Sequence, residues 1–191
     1  MNKLNIDRIG IFSGSFDPPH KGHLHISKIF LKKLKLKKLI WSVTKKNPLF
    51  EKKYCYTFKE RILLSKKISK NIKKINVVNY DKKYSYQLIN LVKNKYKNSQ
   101  VFFLIGSDNV QYFHKWKKFL HIINICTLVV IKRPGYYDKL KKSFFFKNYA
   151  NFMKRNFKNL KIMPKKTWIY ISDKGKKISS SSIKNRLYKN K

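Results

Sequence analysis

Two histidines near the start of the chain have the spacing expected of a phosphate-binding site. Residues 14–23 read Gly-Ser-Phe-Asp-Pro-Pro-His-Lys-Gly-His, so His20 and His23 lie three residues apart. Side chains three apart on a helix lie on the same face, so the two imidazoles can contact one ligand. Gly22 between them leaves room for a phosphate to approach the backbone. We expect this segment to bind the triphosphate of a nucleotide.

The flanking elements suit that role. Residues 9–12 form an apolar run that predicts a buried strand, which Gly14 and the Pro18-Pro19 pair interrupt. Apolar residues then recur at helical spacing, at Ile26, Ile29, Phe30 and Leu34. A strand, a glycine- and proline-containing loop and a helix start together point backbone N–H groups at an anion.

Strands and helices alternate along most of the chain. Further strands are predicted at residues 39–43, 75–79, 101–105 and 125–131, with a weaker one at 169–171. Thr57 to Glu60 have the form of a capping box, and Ser85 is suited to cap another helix. This alternation predicts an α/β domain spanning 1–191, with a parallel sheet of five to six strands and helices on both faces.

Ligands in such sheets bind beyond the carboxyl ends of the strands. The marked loops all follow predicted strands, at residues 13–23, 44–49, 106–109, 132–135 and 172–182. Residues 137–166 carry clustered Phe and Lys, and their pattern predicts no particular element.

A second candidate phosphate segment lies near the other end of the chain. Residues 178–187 read Ile-Ser-Ser-Ser-Ser-Ile-Lys-Asn-Arg-Leu, in which serines precede an apolar helical pattern. A helix start rich in serine offers hydroxyl and N–H groups to an anion, and Lys184 or Arg186 adds charge. A serine run alone is also typical of a flexible tail.

Composition limits the other possibilities. The 191 residues include 47 basic and 8 acidic side chains, for a net charge of +39. That charge suits a polyanionic ligand, although codon bias also produces lysine spread over a whole chain. So few acids argue against a carboxylate metal cage, and Cys55 and Cys126 have no metal-ligand spacing, so no metal site is expected. Without a membrane-length apolar run or signal peptide, the chain is expected to be cytoplasmic.

Residues 10–23 resemble the signature of the nucleotidyltransferase superfamily, G-x-F-D/N-P-x-H-x-G-H. Residues 178–184 are similar to its closing signature I-S-S-T-x-I-R, with Ser181 where threonine is usual and Lys184 where arginine is usual. The intervening loops resemble those of one branch, the nicotinate-nucleotide adenylyltransferases. These loops are Asn47-Pro48-Leu49, Tyr84-Ser85-Tyr86, Gly106-Ser107-Asp108-Asn109, Phe113-His114-Lys115-Trp116 and Arg133-Pro134-Gly135-Tyr136.

The resemblance implies a Rossmann-like, doubly wound fold and transfer of AMP from ATP to nicotinate mononucleotide, a step of NAD biosynthesis. Mg²⁺ would be carried with ATP, and His20 and His23 would be catalytic. The ATP-binding residues would be Gly14, Ser15, Phe16, His20, Gly22, His23, Gly106, Asp108, Arg133, Ser179, Ser180, Ser181 and Lys184. The residues for nicotinate mononucleotide would be Asp17, Asn47, Tyr84, Ser85 and Trp116.

Several of these residues have a structural alternative. Trp116 could stack on the pyridine ring or pack in the core. Asp108 could bind a ribose hydroxyl or build a turn, and Asp17 could bind the mononucleotide ribose or shape its own loop.

Two rival functions remain open from the sequence. One is another adenylyltransferase of the superfamily, acting on nicotinamide mononucleotide or phosphopantetheine. The other is a basic RNA-binding protein, which charge alone would suggest but which leaves the two phosphate motifs unexplained. The sequence leaves open whether the chain forms a homo-oligomer.

The closing segment generates a test of which cation holds the triphosphate. Replacing Lys184 with alanine should weaken ATP binding more than replacing Arg186, because position 184 matches the signature's basic residue. Titration of each variant with ATP measures the two dissociation constants. A larger loss of ATP affinity in Arg186→Ala than in Lys184→Ala would assign binding of the triphosphate to Arg186.

Overall fold

A computed structural model describes residues 6–51, 53–132, 137–154, 157 and 162–172. Its centre is one sheet of seven strands in the order β3-β2-β1-β4-β5-β7-β6, in which every neighbouring pair is parallel. The strands are β1 Asp7–Gly14, β2 Lys38–Val43, β3 Ile75–Val78, β4 Ser99–Gly106, β5 Thr127–Ile131, β6 Met153–Lys154 and β7 Trp168–Ile171.

Helices connect the strands. They are α1 Lys21–Lys33, α2 Phe58–Ser69, α3 Ser85–Lys95, α4 Ser107–Val110, α5 Phe119–Ile125, α6 Tyr137–Lys141 and α7 Phe144–Tyr149. Short 3₁₀ turns occur at Phe113–Lys115 and Ala150–Phe152. Within the part of the chain described, no helix has the length and apolarity needed to cross a bilayer.

The predicted α/β architecture is confirmed, with one strand more than expected. The additional strand, β6, contains only two residues and lies in the stretch whose pattern predicted nothing. The strand expected at residues 125–131 is observed at Thr127–Ile131, two residues shorter at its start. The difference arises because Ile125 ends α5 and Cys126 is the C-cap of that helix. A run of apolar residues cannot by itself show where a buried helix ends and a buried strand begins. Tyr84, rather than Ser85, is the N-cap of α3.

The sheet is buried on both faces. Along β4, Val101, Phe103 and Ile105 belong to one apolar cluster, which also contains the buried residues of α3 and α5. Phe102 and Leu104 belong to a second cluster, which contains the buried Phe30 of α1. A strand covered on both sides needs apolar residues at every position, which is why β4 lacks the alternation of a half-exposed strand.

The strand order reverses between β1 and β4. From β1 the chain continues outward to β2 and β3, and it then returns to β4 on the other side of β1. The connections on either side of this reversal leave a crevice at the carboxyl ends of the two strands. Paired Phe12 and Leu104 mark the place where the two strands approach that edge.

The opening strand and helix pack in very close contact at Gly10. A Cβ built on Gly10 would lie 2.5 Å from Leu36 Cδ1, 2.8 Å from Phe30 Cε1 and 2.9 Å from Leu39 Cδ1. Glycine at this position therefore allows the side chains around α1 to rest on β1 without displacement.

Replacing Gly10 with alanine should lower the free energy of unfolding by roughly 1–3 kcal/mol, because the added methyl group overpacks this contact. Denaturant unfolding measures the change. Gly14→Ala is the matched control, since beyond its chain neighbours the nearest atom to its added Cβ would be 3.6 Å away, on the Phe16 ring. Equal losses in both variants would contradict the packing explanation.

Candidate active site

A cavity of about 720 Å³ lies at the carboxyl ends of β1 and β4, where the strand order reverses. This volume is typical of sites for small molecules and cofactors. The cavity brings together most of the sequence-predicted site residues, namely Gly14, Ser15, Phe16, His20, His23, Asn47, Tyr84, Ser85, Gly106, Asp108 and Trp116. Gly22 and Asp17 do not line it, and Arg133, Ser179, Ser180, Ser181 and Lys184 lie outside the described residues.

The two histidines start α1 through their own ring nitrogens. His20 is the N-cap, and its Nδ1 accepts a hydrogen bond from Gly22 N at 3.1 Å. His23 Nδ1 accepts one from His20 N at 3.2 Å. A neutral imidazole whose Nδ1 accepts carries its proton on Nε2, so both rings retain an Nε2–H donor. The backbone N–H of Gly22 is thereby directed to His20, although the sequence suggested that Gly22 would contact phosphate.

An aromatic floor supports the histidine pair. The ring centroids of His20 and His23 are 3.8 Å apart, and that of His23 is 5.0 Å from Phe16. Phe16 stacks on Trp41 at 4.9 Å, and Trp41 Nε1 donates to Ser27 Oγ at 2.8 Å. Burial of these rings limits the orientations available to the largely buried His23.

The start of the loop after β2 is joined to the end of β1 through direct hydrogen bonds. Thr44 N donates to Gly14 O at 2.8 Å, and the hydroxyls of Ser13 and Thr44 are 3.3 Å apart. These bonds continue the parallel pairing of β1 with β2 past the end of the sheet, and they place Asn47 on the cavity wall.

Arg61, in the first turn of α2, joins the loops beside the cavity, and the sequence did not predict this arrangement. Its guanidinium donates to the carbonyl oxygens of Ser15 at 2.7 Å, Thr44 at 2.7 Å, Lys45 at 3.1 Å and Tyr56 at 3.3 Å. The residue is only 1% exposed. The only signal in the sequence was a basic residue on the apolar side of a helix.

Burial also affects the pKa of this guanidinium. Desolvation lowers the pKa of Arg61, and the charges of Tyr54 and Asp17 oppose that shift. The Tyr54 ring centroid is 4.3 Å from Arg61 Cζ, in cation–π contact.

Asp17 shapes the loop instead of facing the cavity. Its side chain is completely buried, and its carboxylate oxygens accept hydrogen bonds from Cys55 N at 3.2 Å and Tyr56 N at 3.1 Å. The geometry therefore favours the loop-building alternative for Asp17 over contact with a ribose.

Another part of the cavity lining, formed by residues 82–85 and 115–117, is basic and aromatic. Lysine ammonium groups lie near the Tyr84 ring centroid, Lys117 Nζ at 5.0 Å and Lys83 Nζ at 5.4 Å. Lys82 and Lys115 also line the cavity. The sequence could not single out these lysines, because lysine is abundant everywhere in the chain.

Trp116 packs against the core and also lines the cavity. Its ring packs at 5.3 Å from Phe113 and 6.1 Å from Phe103, and the residue also lines the cavity. A ring held against the core in this way can offer a rigid surface to a planar ligand.

Asp108 is the only acidic residue lining the cavity among the residues described. It lies in α4, directly after β4, and its side chain is partly exposed. The same described ranges contain no group of three or more His, Cys, Asp or Glu that could hold a metal. The cavity is thus suited to a ligand with several negative charges, because histidine and lysine donors greatly outnumber acids.

The cysteines do not provide a nucleophile for this cavity. Cys126 is buried at the end of α5, where it is the C-cap residue. Desolvation raises the pKa of its thiol to about 12. Its Sγ donates to Ile122 O at 3.3 Å. Cys55 does not line the cavity.

Comparison with known proteins identifies the class. Residues 11–186 match the cytidylyltransferase-like family, and the chain belongs to that family. A probable nicotinate-nucleotide adenylyltransferase of Pelagibacter ubique is 43% identical over 170 residues, covering 84% of this chain and 93% of the relative. The nicotinate-nucleotide adenylyltransferase of Bacillus subtilis is 30% identical, covering 88% and 97%. Within its family the chain therefore groups with the nicotinate-nucleotide adenylyltransferases, as the loop motifs predicted.

A solved structure shares the fold. The Plasmodium falciparum nicotinic acid mononucleotide adenylyltransferase complexed with NaAD matches with a TM-score of 0.70 at 18% identity. The match covers 95% of this chain and 84% of that one. The Rossmann-like architecture is confirmed by this likeness.

The capping bond of His20 allows its structural and chemical roles to be separated. His20→Asn should keep an acceptor for Gly22 N, because asparagine is a good N-cap, but it removes the Nε2 donor. Turnover should then fall by about a hundredfold or more, as for loss of one transition-state donor. Thermal unfolding should change little.

His20→Ala is the matched comparison. It should lose turnover to a similar extent and also lose about 1 kcal/mol of stability, because the cap disappears. Full activity in His20→Asn would show that Nε2 has no chemical role.

Proposed function

We propose that this protein transfers AMP from ATP to nicotinate mononucleotide and releases nicotinate adenine dinucleotide and pyrophosphate. The observation that carries the proposal is the shared cavity, in which the histidine pair after β1 faces the same space as Tyr84, Ser85 and Trp116. The matches to the two relatives named for this activity cover nearly the whole length of each relative, which supports a common reaction.

The reaction is an in-line displacement at the α-phosphorus of ATP. A phosphate oxygen of the mononucleotide forms the new P–O bond, and the bond between the α-phosphorus and its bridging oxygen breaks. Pyrophosphate leaves with the bonding electrons. Such transfers need little covalent chemistry from the protein, because positioning and charge stabilisation supply most of the rate.

His20 and His23 are suited to bind the triphosphate. Both Nδ1 atoms accept backbone N–H groups, so in the neutral rings the donor is the Nε2–H group. In this proposal they donate to phosphate oxygens and stabilise the charge that develops toward pyrophosphate. Gly14, Ser15 and Phe16 bring the backbone of the same loop to the cavity.

The mononucleotide is assigned to the part of the cavity that is lined by the loops after β2, β3 and β4. Asn47 comes from the loop after β2, Tyr84 and Ser85 from the start of α3, and Trp116 offers its ring to the pyridine. Asp108 remains the candidate for a ribose hydroxyl on the adenosine side. Arg133, Ser179, Ser180, Ser181 and Lys184 remain predictions for the ATP phosphates.

Magnesium is proposed to enter with ATP as part of the substrate. Mg²⁺ retains most of its waters and binds through substrate phosphates plus one or two carboxylates. Among the described residues that line the cavity, Asp108 is the single acid. One carboxylate fits a metal ion that arrives with ATP better than a metal ion that is coordinated entirely by protein side chains.

Pyrophosphate release measured with three acceptors tests the assignment. With Mg²⁺ and ATP, nicotinate mononucleotide should be used with a higher kcat/KM than nicotinamide mononucleotide or phosphopantetheine. Preference for either of the other two acceptors would replace the proposed substrate. Addition of RNA should not compete with ATP, whereas strong competition would favour the basic RNA-binding alternative.

A histidine variant tests the site itself. His23→Ala should reduce turnover by about a hundredfold or more while the fold survives. His121→Ala is the control, because His121 is exposed, bonds Asn90 at 3.1 Å and does not line the cavity. Near-normal turnover in folded His23→Ala would refute the catalytic assignment.

A further inference from the structure

The segment between β2 and α2 forms one wall of the cavity with little packing of its own. This β2–α2 loop comprises residues 44–51 and 53–57 of the described chain, and it contributes Asn47, Pro48, Leu49 and Phe50 to the cavity. Phe50 is 49% exposed and Leu49 37% exposed. Side chains so exposed contribute little burial to fix the loop, and the Phe50 ring has an edge contact with Tyr112 at 5.2 Å. Buried hydrogen bonds near the ends of the loop add to this contact.

One attachment is Asp17, at the tip of the loop after β1. Its buried carboxylate accepts the backbone N–H groups of Cys55 and Tyr56, near the end of the β2–α2 loop. A carboxylate that accepts two backbone N–H groups forms charge-assisted bonds, which are stronger than neutral ones.

The other attachment is Arg61. One guanidinium bonds Thr44 O and Lys45 O at the beginning of the β2–α2 loop and Tyr56 O near its end. The same group bonds Ser15 O, which belongs to the loop that carries His20. Because the guanidinium is planar and rigid, it fixes these carbonyl oxygens relative to one another.

Asp17 and Arg61 together hold the Tyr56 peptide region from both sides. Asp17 accepts the N–H of Tyr56, and Arg61 donates to its carbonyl oxygen. Neither side chain lines the cavity, so neither is placed to touch a substrate. Their effect on any reaction must therefore pass through the backbone they hold.

We propose that Asp17 and Arg61 are positioning residues that fix the β2–α2 loop, and with it Asn47, at a set distance from His20 and His23. This inference rests on the proposed function, in which the histidines bind ATP and Asn47 contacts the mononucleotide. The pair sets the alignment of the attacking phosphate with the α-phosphorus. A displacement of about 1 Å in such an alignment can cost roughly a hundredfold in rate.

Conservative variants are the suitable test, because removal of a whole buried charged group leaves its partners unsatisfied and endangers folding. Arg61→Lys keeps a charge but cannot reach four carbonyl oxygens with one ammonium group. Asp17→Asn keeps the shape but has only one oxygen acceptor for two N–H groups. Arg8→Lys and Asp7→Asn are matched controls near the opposite end of β1 from the cavity.

The two cysteines report local and global opening separately. Cys55 is half-buried within the β2–α2 loop, whereas Cys126 is fully buried in the core. Alkylation under native conditions, followed by peptide mass spectrometry, gives a rate for each thiol. In Arg61→Lys and Asp17→Asn, Cys55 should react severalfold faster than in the wild type, and Cys126 should keep its wild-type rate.

Kinetics provide the second readout. In both variants kcat/KM for nicotinate mononucleotide should fall by roughly tenfold to a hundredfold, from lost alignment. The dissociation constant of ATP alone should change less than about twofold, because the β2–α2 loop carries Asn47, which is assigned to the mononucleotide and not to ATP. A purely global defect would instead reduce the number of ATP-binding sites in the sample together with kcat/KM. The control variants should match the wild type in both measurements.

Three results would overturn the proposal. Equal acceleration of Cys55 and Cys126 would show that the pair serves global stability. Wild-type labelling of Cys55 would show that the loop does not depend on the pair, and faster labelling with unchanged kinetics would show that its position does not matter for transfer. If the wild type itself transfers nothing to nicotinate mononucleotide, the proposed function fails, and the labelling rates alone decide whether the pair holds the loop.

Discussion

The parallel pairing of β1 with β4 is the constraint on which the site depends. It places the end of the first strand beside the end of the fourth, with Phe12 opposite Leu104, although about ninety residues separate them in the chain. The chain leaves β1 in one direction and returns on the other side, so the connections diverge and leave a cavity between them. The loops after β1, β2 and β4 can then contact one ligand.

At the edge of that cavity the hydrogen bonds that start α1 also orient the two histidines proposed to be catalytic. The helix start needs acceptors for its first N–H groups, and imidazole Nδ1 atoms of His20 and His23 supply two of them. Because Nδ1 accepts in these bonds, the proton of the neutral ring lies on Nε2. Local folding thus prepares two donors before a ligand arrives.

Buried charge gives the loops their fixed geometry. Arg61 and Asp17 are almost completely excluded from solvent, a costly location for ionised groups unless their hydrogen bonds are satisfied. Here the hydrogen-bond partners of the two charged side chains are backbone groups of the loops after β1 and β2. The hydrogen bonds that stabilise the buried charges therefore also fix the positions of the loops. The two loops thereby acquire a defined separation.

Much of this protein was determined by short stretches of the sequence alone. The apolar runs predicted six of the seven strands, the capping box at Thr57 and Glu60 predicted the start of α2, and the histidine motif located the cavity. These features rest on local propensity and spacing, which each stretch carries by itself. The roles of Arg61, Asp17 and the lysines beside Tyr84 were decided only by tertiary structure. Their partners lie up to 46 residues away for Arg61, and nothing local distinguishes a buried arginine or one lysine among many from its solvated neighbours.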